Sequence, residues 1–345
     1  MFRAALRGFL FCLLMAALSR VSPAQSLVLD LPYPSQRAEV SQRIGITVIT
    51  IQYHRPLVKD RKIWDGLVPY GKVWRAGANE NTTIAFSDRV LIEGKPLDKG
   101  TYGLHMIPNA NKWTIIFSKN STSWGSFTYD QAEDALRVTV KPKTTDMHNA
   151  LTCDFDQLQP DSAVVELVWE KIAVSFKVAV DVRDVVQASL KKQLRNVSRI
   201  TWMSWSDAAN YLLAEKIGLN EALTYADKSI ENEDRYDNEI TKSRVLTALN
   251  RKDEAATAQK KALDLASPLQ IHSYARQLLG EKRREEAFAI FSENALKHPN
   301  QWFVYSGLAR MYCAQGKFDD AAMEMKIALL GAPDDQKSYL GGLVR

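Results

Sequence analysis

"AVVELVWEKIAVSFKVAVDVRDVVQASLKKQL", from Ala163 to Leu194, changes its hydrophobic period once, and that change divides the chain. Up to Val180 the apolar residues alternate. Val174, Phe176, Val178 and Val180 fall on one face of an extended chain, with Ser175 and Lys177 on the other. Beyond Val180 the apolar residues are Val182, Val185, Val186, Leu190 and Leu194, a helical stripe that no Gly or Pro interrupts. The spacing predicts a helix from Val182 to Asn196, so a sheet ends and a helical part begins near residue 181.

Working back from this point, the chain from Gln42 to Val180 reads in twos. "GITVITIQY", "TTIAF", "RVLIEG", "TYGLHMI", "KWTIIFS", "LRVTV", "LTCDFD", "AVVELVW" and "AVSFKVAV" are short runs rich in β-branched and aromatic residues, separated by Gly, Pro, Asn and Asp turns. Many short strands at this spacing predict an all-β sandwich. Alternation turns Leu151, Cys153 and Phe155 inward together, and Trp113 inward with Ile115 and Phe117. In "TYGLHMI" it puts Tyr102, Leu104 and Met106 in the core and His105 on the opposite face.

Working forward, the helical part repeats itself. In "GKFDDAAMEMKIALLGAP" the residues Gly316, Phe318, Ala321, Ala328 and Pro333 stand at the second-helix spacing of a tetratricopeptide repeat, and Tyr305, Leu308, Ala309 and Tyr312 fit the first helix. Aligning on the small residue at the helix–helix contact gives Ala222, Ala255, Ala287 and Ala321, which are 33, 32 and 34 residues apart. In the second copy Asn250 occupies the place of the turn glycine. Four helical hairpins stacked side by side make an all-α solenoid, a surface suited to a protein or peptide partner. The expected layout is a leader at 1–24, a sandwich at 25–181, a connecting helix at 182–200 and repeats at 201–345.

The leader rests on Arg3 and Arg7 ahead of the apolar run Phe9–Leu18, with Ser22 and Ala24 at the small-residue positions before Gln25. That is the pattern of a secretory signal peptide, and the run is too short to span a bilayer, which takes roughly 20 residues. The expected destination is periplasmic or extracellular. Cleavage would remove Arg3, Arg7 and Arg20, leaving 42 Lys plus Arg against 40 Asp plus Glu. With no basic block or basic helix face, the composition argues against a nucleic-acid partner. Only Cys153 and Cys313 lie beyond the leader, in different predicted domains, so each is expected to be a buried free thiol.

One stretch fits neither a core nor a plain loop: "LVPYGKVWRAGANENTT", Leu67–Thr83, which mixes aromatics, cations, glycines, a carboxylate and amides. It follows "QYHRPLVKDRKIWDG" and precedes "GKPLDKGTYGLHMIP" and "WTIIFSKN". Together these residues, from about Val40 to Val180, resemble the secreted bacterial family known as domain of unknown function 2911. The signature is Arg-Pro, then Arg, then the Pro-Tyr-Gly-Lys-Val-Trp-Arg run followed by Gly-Ala-Asn-Glu and Thr. The resemblance implies export and a β-rich fold, and carries over no activity, ligand or catalytic residue.

The residues supply the remaining expectations. Arg55, Arg61 and Arg75 offer planar donor forks suited to a carboxylate or phosphate. Asn79, Asn81 and Thr82 add neutral hydrogen bonds, Trp74 a stacking wall, and Glu80 and His105 a carboxylate and an imidazole. The functional reading is a pocket for a small polar or anionic ligand, in which Arg75 and Glu80 share one concavity. The structural alternative pairs Arg75 with Glu80 and uses the amides to satisfy backbone. His54, His105 and Glu80 lack the HxH or HExxH spacing of a metal site, and neither a nucleophile elbow nor a phosphate loop is present, so no cofactor is expected. Trp64, Trp74, Trp113 and Trp124 could form a sugar-stacking platform, though aromatics in a sandwich are usually core. The expected function is an exported binding and scaffolding protein. The rivals are a hydrolase with Glu80 or His105 as general base and an arginine as electrostatic support, and a purely structural module.

Overall fold

The computed structural model describes residues 32–342. The leader therefore lies outside the described residues. The chain divides into two compact units between Val182 and Arg183.

The first unit is a sandwich of two antiparallel sheets. Its strands are β1 (Gln36–Ile44), β2 (Thr47–Arg55), β3 (Thr83–Phe86), β4 (Val90–Ile92), β5 (Lys95–Leu97), β6 (Gly100–Ile107), β7 (Trp113–Ser118), β8 (Asp134–Val140), β9 (Lys143–Asp156) and β10 (Ser162–Ala179). One sheet runs β1-β2-β3-β6-β7-β8 and the other β5-β4-β10-β9. Alternation fills the space between them with Ile49, Ile51, Ile84, Leu104, Ile115, Phe117, Leu167 and Phe176, all buried.

The two runs expected around Glu170 are one continuous strand. β10 passes through them with register shifts on either side of Glu170, which takes a positive φ of 56°. The bulge stands where the sequence suggested a turn. β1 begins at Gln36, ahead of the expected first strand, and joins β2 through a two-residue turn in which Gly45 has φ 57°.

Four tryptophans close one end of this core. Trp113 of β7 and Trp169 of β10 meet Trp64 and Trp74, both from the long connection 56–82 between β2 and β3. Trp74 stacks on Trp169 at 5.9 Å and 16°, and Trp64 meets Trp113 edge-on at 4.9 Å. The Trp74 backbone also exchanges two 2.8 Å hydrogen bonds with Met106 of β6. The aromatics of the polar stretch are thus anchors that dock the connection on the core. Of the four tryptophans weighed as a platform, three are in this cluster, and Trp124 stands apart, 53% exposed.

The second unit is all α, a solenoid of stacked hairpins. After α1 (Val182–Gln193) and a 3-10 turn (Val197–Ile200) come α2 (Trp202–Glu215) with α3 (Leu219–Asn232), and α4 (Tyr236–Ala248) with α5 (Lys252–Leu265). They are followed by α6 (Pro268–Gly280) with α7 (Arg284–Lys297), α8 (Trp302–Ala314) with α9 (Phe318–Gly331), and α10 (Asp334–Gly342). The first three hairpin turns each place a non-glycine residue at positive φ: Lys216 at 56°, Asn250 at 61° and Lys282 at 65°. Asn250 adopts the conformation required of the glycine it replaces, and Gly316 supplies it in the fourth hairpin at 77°. Helix α1 packs within this unit: Leu194 is buried with Ala208, Ala209 and Leu212, while Arg183 pairs with Glu215 at 3.0 Å.

The small residues at the repeat contact differ in burial. Ala222, Ala255 and Ala287 are buried, whereas Ala321 is only half-buried. In the last hairpin only the short α10 stacks beyond α9, so the contact there is less enclosed. Replacing Ala287 by Leu is therefore expected to overpack the third hairpin at a cost of about 1 to 3 kcal/mol. The urea midpoint of the helical transition reads this, and Ala321→Leu should lower it less. Cys153 is buried and free as expected; Cys313 is free but exposed, on the outward side of α8.

Candidate functional site

The polar stretch sits in the connection 56–82, fixed at both ends by the sandwich. At the β2 end, Arg55 donates through Nε to the Leu151 carbonyl at 2.9 Å and through Nη2 to Thr152 Oγ1 at 2.7 Å. It ties β2 to β9 through the Nε–Nη2 edge of its guanidinium. Arg61 donates to the carbonyls of Val58 at 3.0 Å and Leu57 at 2.5 Å, bracing the turn that begins the connection. At the β3 end, Thr82 is buried and donates to the Ala76 carbonyl at 3.1 Å.

Between these ends the backbone turns twice through the left-handed region, at Ala76 (φ 52°) and Asn79 (φ 58°). The consequence is a divided site. Arg75 projects before the turns and Glu80 after them, and they line different depressions. Neither sequence expectation holds in full: Arg75 and Glu80 do not share a concavity, and they do not pair with each other.

The larger depression, about 610 Å³, opens on the β1–β2–β3 side, lined by Tyr33, Arg37, Gln52, His54, Glu80, Asn81 and the hydroxyls of Ser121–Ser123. Glu80 Oε2 lies 3.3 Å from His54 Nε2 but off the hydrogen-bond direction, so this buried oxygen has no donor. Burial pushes the His54 imidazole below its ordinary range, and the Glu80 charge opposes that shift. Asn81 donates through Nδ2 to the Asn120 carbonyl at 3.2 Å, while its buried Oδ1 has no donor either. The Tyr33 ring, 42% exposed, stands edge-on to His54 and 6.5 Å from the Trp124 ring. This depression thus presents acceptors beside an aromatic rim.

The smaller depression, about 340 Å³, has the opposite polarity. Arg61, Lys72 and Arg75 line it together with Trp74, Trp169, Leu67 and Pro69, and no carboxylate is among its lining residues. Arg75 Nε is buried without a hydrogen-bond partner, and desolvation lowers its pKa from the usual guanidinium value while Glu80 opposes that. Gly125 (φ 71°) makes room for the guanidinium, because a Cβ there would collide with Arg75 Nη1. Trp74 Nε1 donates to the Gly77 carbonyl at 3.2 Å, and Asn79 Nδ2 to the Ser35 carbonyl at 3.3 Å.

His105 lines neither depression. Its strand face was expected to be open, but the β7–β8 connection covers it, and the side chain is 2% exposed. Its Nδ1 lies 2.9 Å from Ser126 Oγ, and its ring meets Tyr129 edge-on at 5.4 Å. Tyr129 donates in turn to Asp134, which also accepts from Arg137. Burial pushes His105 down to about 4, against the attraction of Asp134. It is a neutral core imidazole at neutral pH. His54 and Glu80 meet, but His105 does not join them, and among the described residues no group of three His, Cys, Asp or Glu could hold a metal ion.

Sequence reading overlooked Tyr33, Arg37, Gln52 and the Ser121–Ser123 turn, which topology alone brings to the cavity. Gln52 and His54 carried a usable signal, since they lie two apart on β2 and so share the face opposite the core.

The architecture is that of a two-unit protein, a β-sandwich followed by a helical-repeat solenoid. Residues 35–178, which contain the Arg-Pro to Thr run, match the model of the family described as "Protein of unknown function (DUF2911)". Among curated proteins none matches the chain. Two solved structures are similar to its helical part: "Crystal structure of APC/C hetero-tetramer Cut9-Hcn1", at 15% identity and TM-score 0.29, and "Crystal structure of YrrB: a TPR protein with an unusual peptide-binding site", at 16% and 0.27. The first similarity covers 42% of this chain and 28% of that one, the second 45% and 81%. This chain thus spans little more than a quarter of the first structure's length.

Proposed function

We propose that the protein is an exported binding and scaffolding protein whose β unit holds a small polar ligand in the His54–Glu80 cavity and whose helical unit docks a protein segment. The observation that carries the ligand reading is the 610 Å³ cavity with two acceptors, Glu80 Oε2 and Asn81 Oδ1, that have no donor. The volume lies within the roughly 300–1,000 Å³ of small-molecule sites. Unmatched buried acceptors are costly, so the fitting ligand is one that donates hydrogen bonds. The exposed Tyr33 and Trp124 rings favour one with an apolar face as well, which together describe a small saccharide or related polyol. Export is supported by Arg3, Arg7 and the apolar run to Leu18. Among the described residues no helix is long and apolar enough to cross a membrane.

A panel of neutral mono- and disaccharides, screened by thermal shift on the β transition of the full chain, tests the ligand reading. At least one member should raise the midpoint, and Glu80→Gln should abolish the rise. A panel without effect, or a hit that stabilises Glu80→Gln equally, would overturn it.

The cationic depression favours a second reading, in which the anionic ligand expected from the arginines binds there. Phosphate and citrate belong in the same panel, with Arg75→Gln as the matching control.

A further inference from the structure

The first helices of three successive hairpins carry arginine at one repeat position. Arg244, Arg276 and Arg310 each stand eleven residues before the small residue of their repeat, Ala255, Ala287 and Ala321, and Tyr211 holds that place before Ala222. Residues at one repeat position stack into a stripe when the hairpins stack. Side-chain contacts bear the stripe out: Arg244 Nη2 reaches across to Gln277 Oε1 at 2.5 Å, beside Arg276, and Arg310 Nη2 reaches Tyr339 of α10 at 3.2 Å. The Tyr339 hydroxyl is held below its ordinary range by Arg310 first and by Arg276 as well. The two guanidinium groups therefore share one neighbourhood.

These arginines combine one repeat position with a lack of paired carboxylates. Several cations elsewhere in the unit are neutralised locally, as in Arg251 with Glu254 at 2.6 Å, Arg283 with Glu286 at 2.7 Å and Lys297 with Glu293 at 2.6 Å. Among the described residues Arg244, Arg276 and Arg310 have no ion pair, and Arg310 Nε is buried without any hydrogen-bond partner. Three forks along one stripe, all without counter-charge, are complementary to a row of carboxylates.

Spacing defines the partner further. Neighbouring first helices pack into a common core through Ile240, Tyr274 and Met311, which sets them about 8–10 Å apart. An extended polyproline-II segment advances about 3.1 Å per residue, so every third side chain meets the next rung. We propose that the Arg244–Arg276–Arg310 stripe docks an extended acidic segment of a partner protein, with Asp or Glu at every third position. This rests on the reading of the helical unit as a docking module and adds the chemistry of what it takes.

Fluorescence anisotropy of the full-length protein with a labelled peptide of four Glu-Pro-Ser triplets tests it, with Lys-Pro-Ser and Ser-Pro-Ser versions for comparison. The acidic peptide should bind, and more weakly at about 300 mM than at about 50 mM salt. Arg276→Gln and Arg310→Gln should each weaken it about three- to five-fold, while Lys297→Gln leaves it unchanged. Arg276 is exposed, so its variant keeps the test valid even if Arg310→Gln fails to fold. Preference for the basic or neutral peptide, or acidic binding that survives both arginine changes, would overturn the acidic assignment and leave the docking reading standing. If none of the three peptides binds, both fall. An oligonucleotide that displaces the acidic peptide at equal concentration would overturn the assignment to a protein.

Discussion

Trp169→Ala should lower the stability of the β unit by about 3 to 5 kcal/mol, the usual cost of removing a fully buried tryptophan. Trp169 is 1% exposed and stacks on Trp74, with Trp64 edge-on at 5.8 Å. The loss has a second consequence, since Trp64 and Trp74 are the anchors that hold the connection 56–82 on the core. Without Trp169 that connection should loosen, and the depressions it lines should lose their shape. Urea unfolding gives the first effect and amide exchange over residues 72–82 the second. Trp124→Ala provides the contrast: half-exposed and outside the cluster, it should change stability by no more than about 0.5 kcal/mol. Equal effects from the two variants would show that the cluster is not the anchor.

Both units should lose stability as pH falls from 6.5 to 4.5, through His105 together with His54 in the β unit and through His272 in the helical unit. His105 in the β unit and His272 in the helical unit are each pushed from 6.5 to about 4, by burial above all, and for His272 by Arg276 and Arg310 in addition. These folded-state values are depressed, so the unfolded chain takes up a proton near 6.5 while the folded one resists until about 4. The unfolded state then binds more protons in that window, and stability falls with falling pH. A shift of this size corresponds to something on the order of 3 kcal/mol for each histidine. Carboxylates with lowered values, such as Glu221 and Glu286, act below their ordinary 4.5 and leave the upper window to the imidazoles. His105→Gln should reduce the slope of the β transition alone, leaving the part due to His54, and His272→Gln should flatten the helical transition alone. A slope unchanged by either substitution would assign the acid sensitivity to other groups.

The period change after Val180 made the division of the chain legible, because alternation and helical spacing are imposed by burial on one face. β1 was hidden by the same logic. As an edge strand its residues 36–43 are exposed or half-buried, and although Ala38, Val40 and Ile44 alternate with polar residues, Gln42 interrupts the apolar face and weakens the signal. Glu170 and Lys171 read as a turn because a charged pair rarely sits inside a strand, and the bulge that admits them is a backbone event no residue type announces. At the site, composition marked the right connection but not its geometry. The positive φ values at Ala76 and Asn79 send Arg75 and Glu80 apart, and Ala76 is a residue from which no such turn would be read. The cover over His105 was equally hidden, since Ser126 and Tyr129 reach it from the β7–β8 connection.

On the proposed reading the His54–Glu80 cavity binds a ligand and returns it unchanged, instead of using Glu80 as a general base to cleave it. The direct measurement follows the NMR spectrum of the saccharide that stabilises the β unit, incubated with the full-length protein over several hours. The expected result is line broadening from exchange with the bound state, lost in Glu80→Gln, with no new resonances. Cleavage products that form with the unaltered protein and vanish with Glu80→Gln would contradict binding as the function and make the site catalytic.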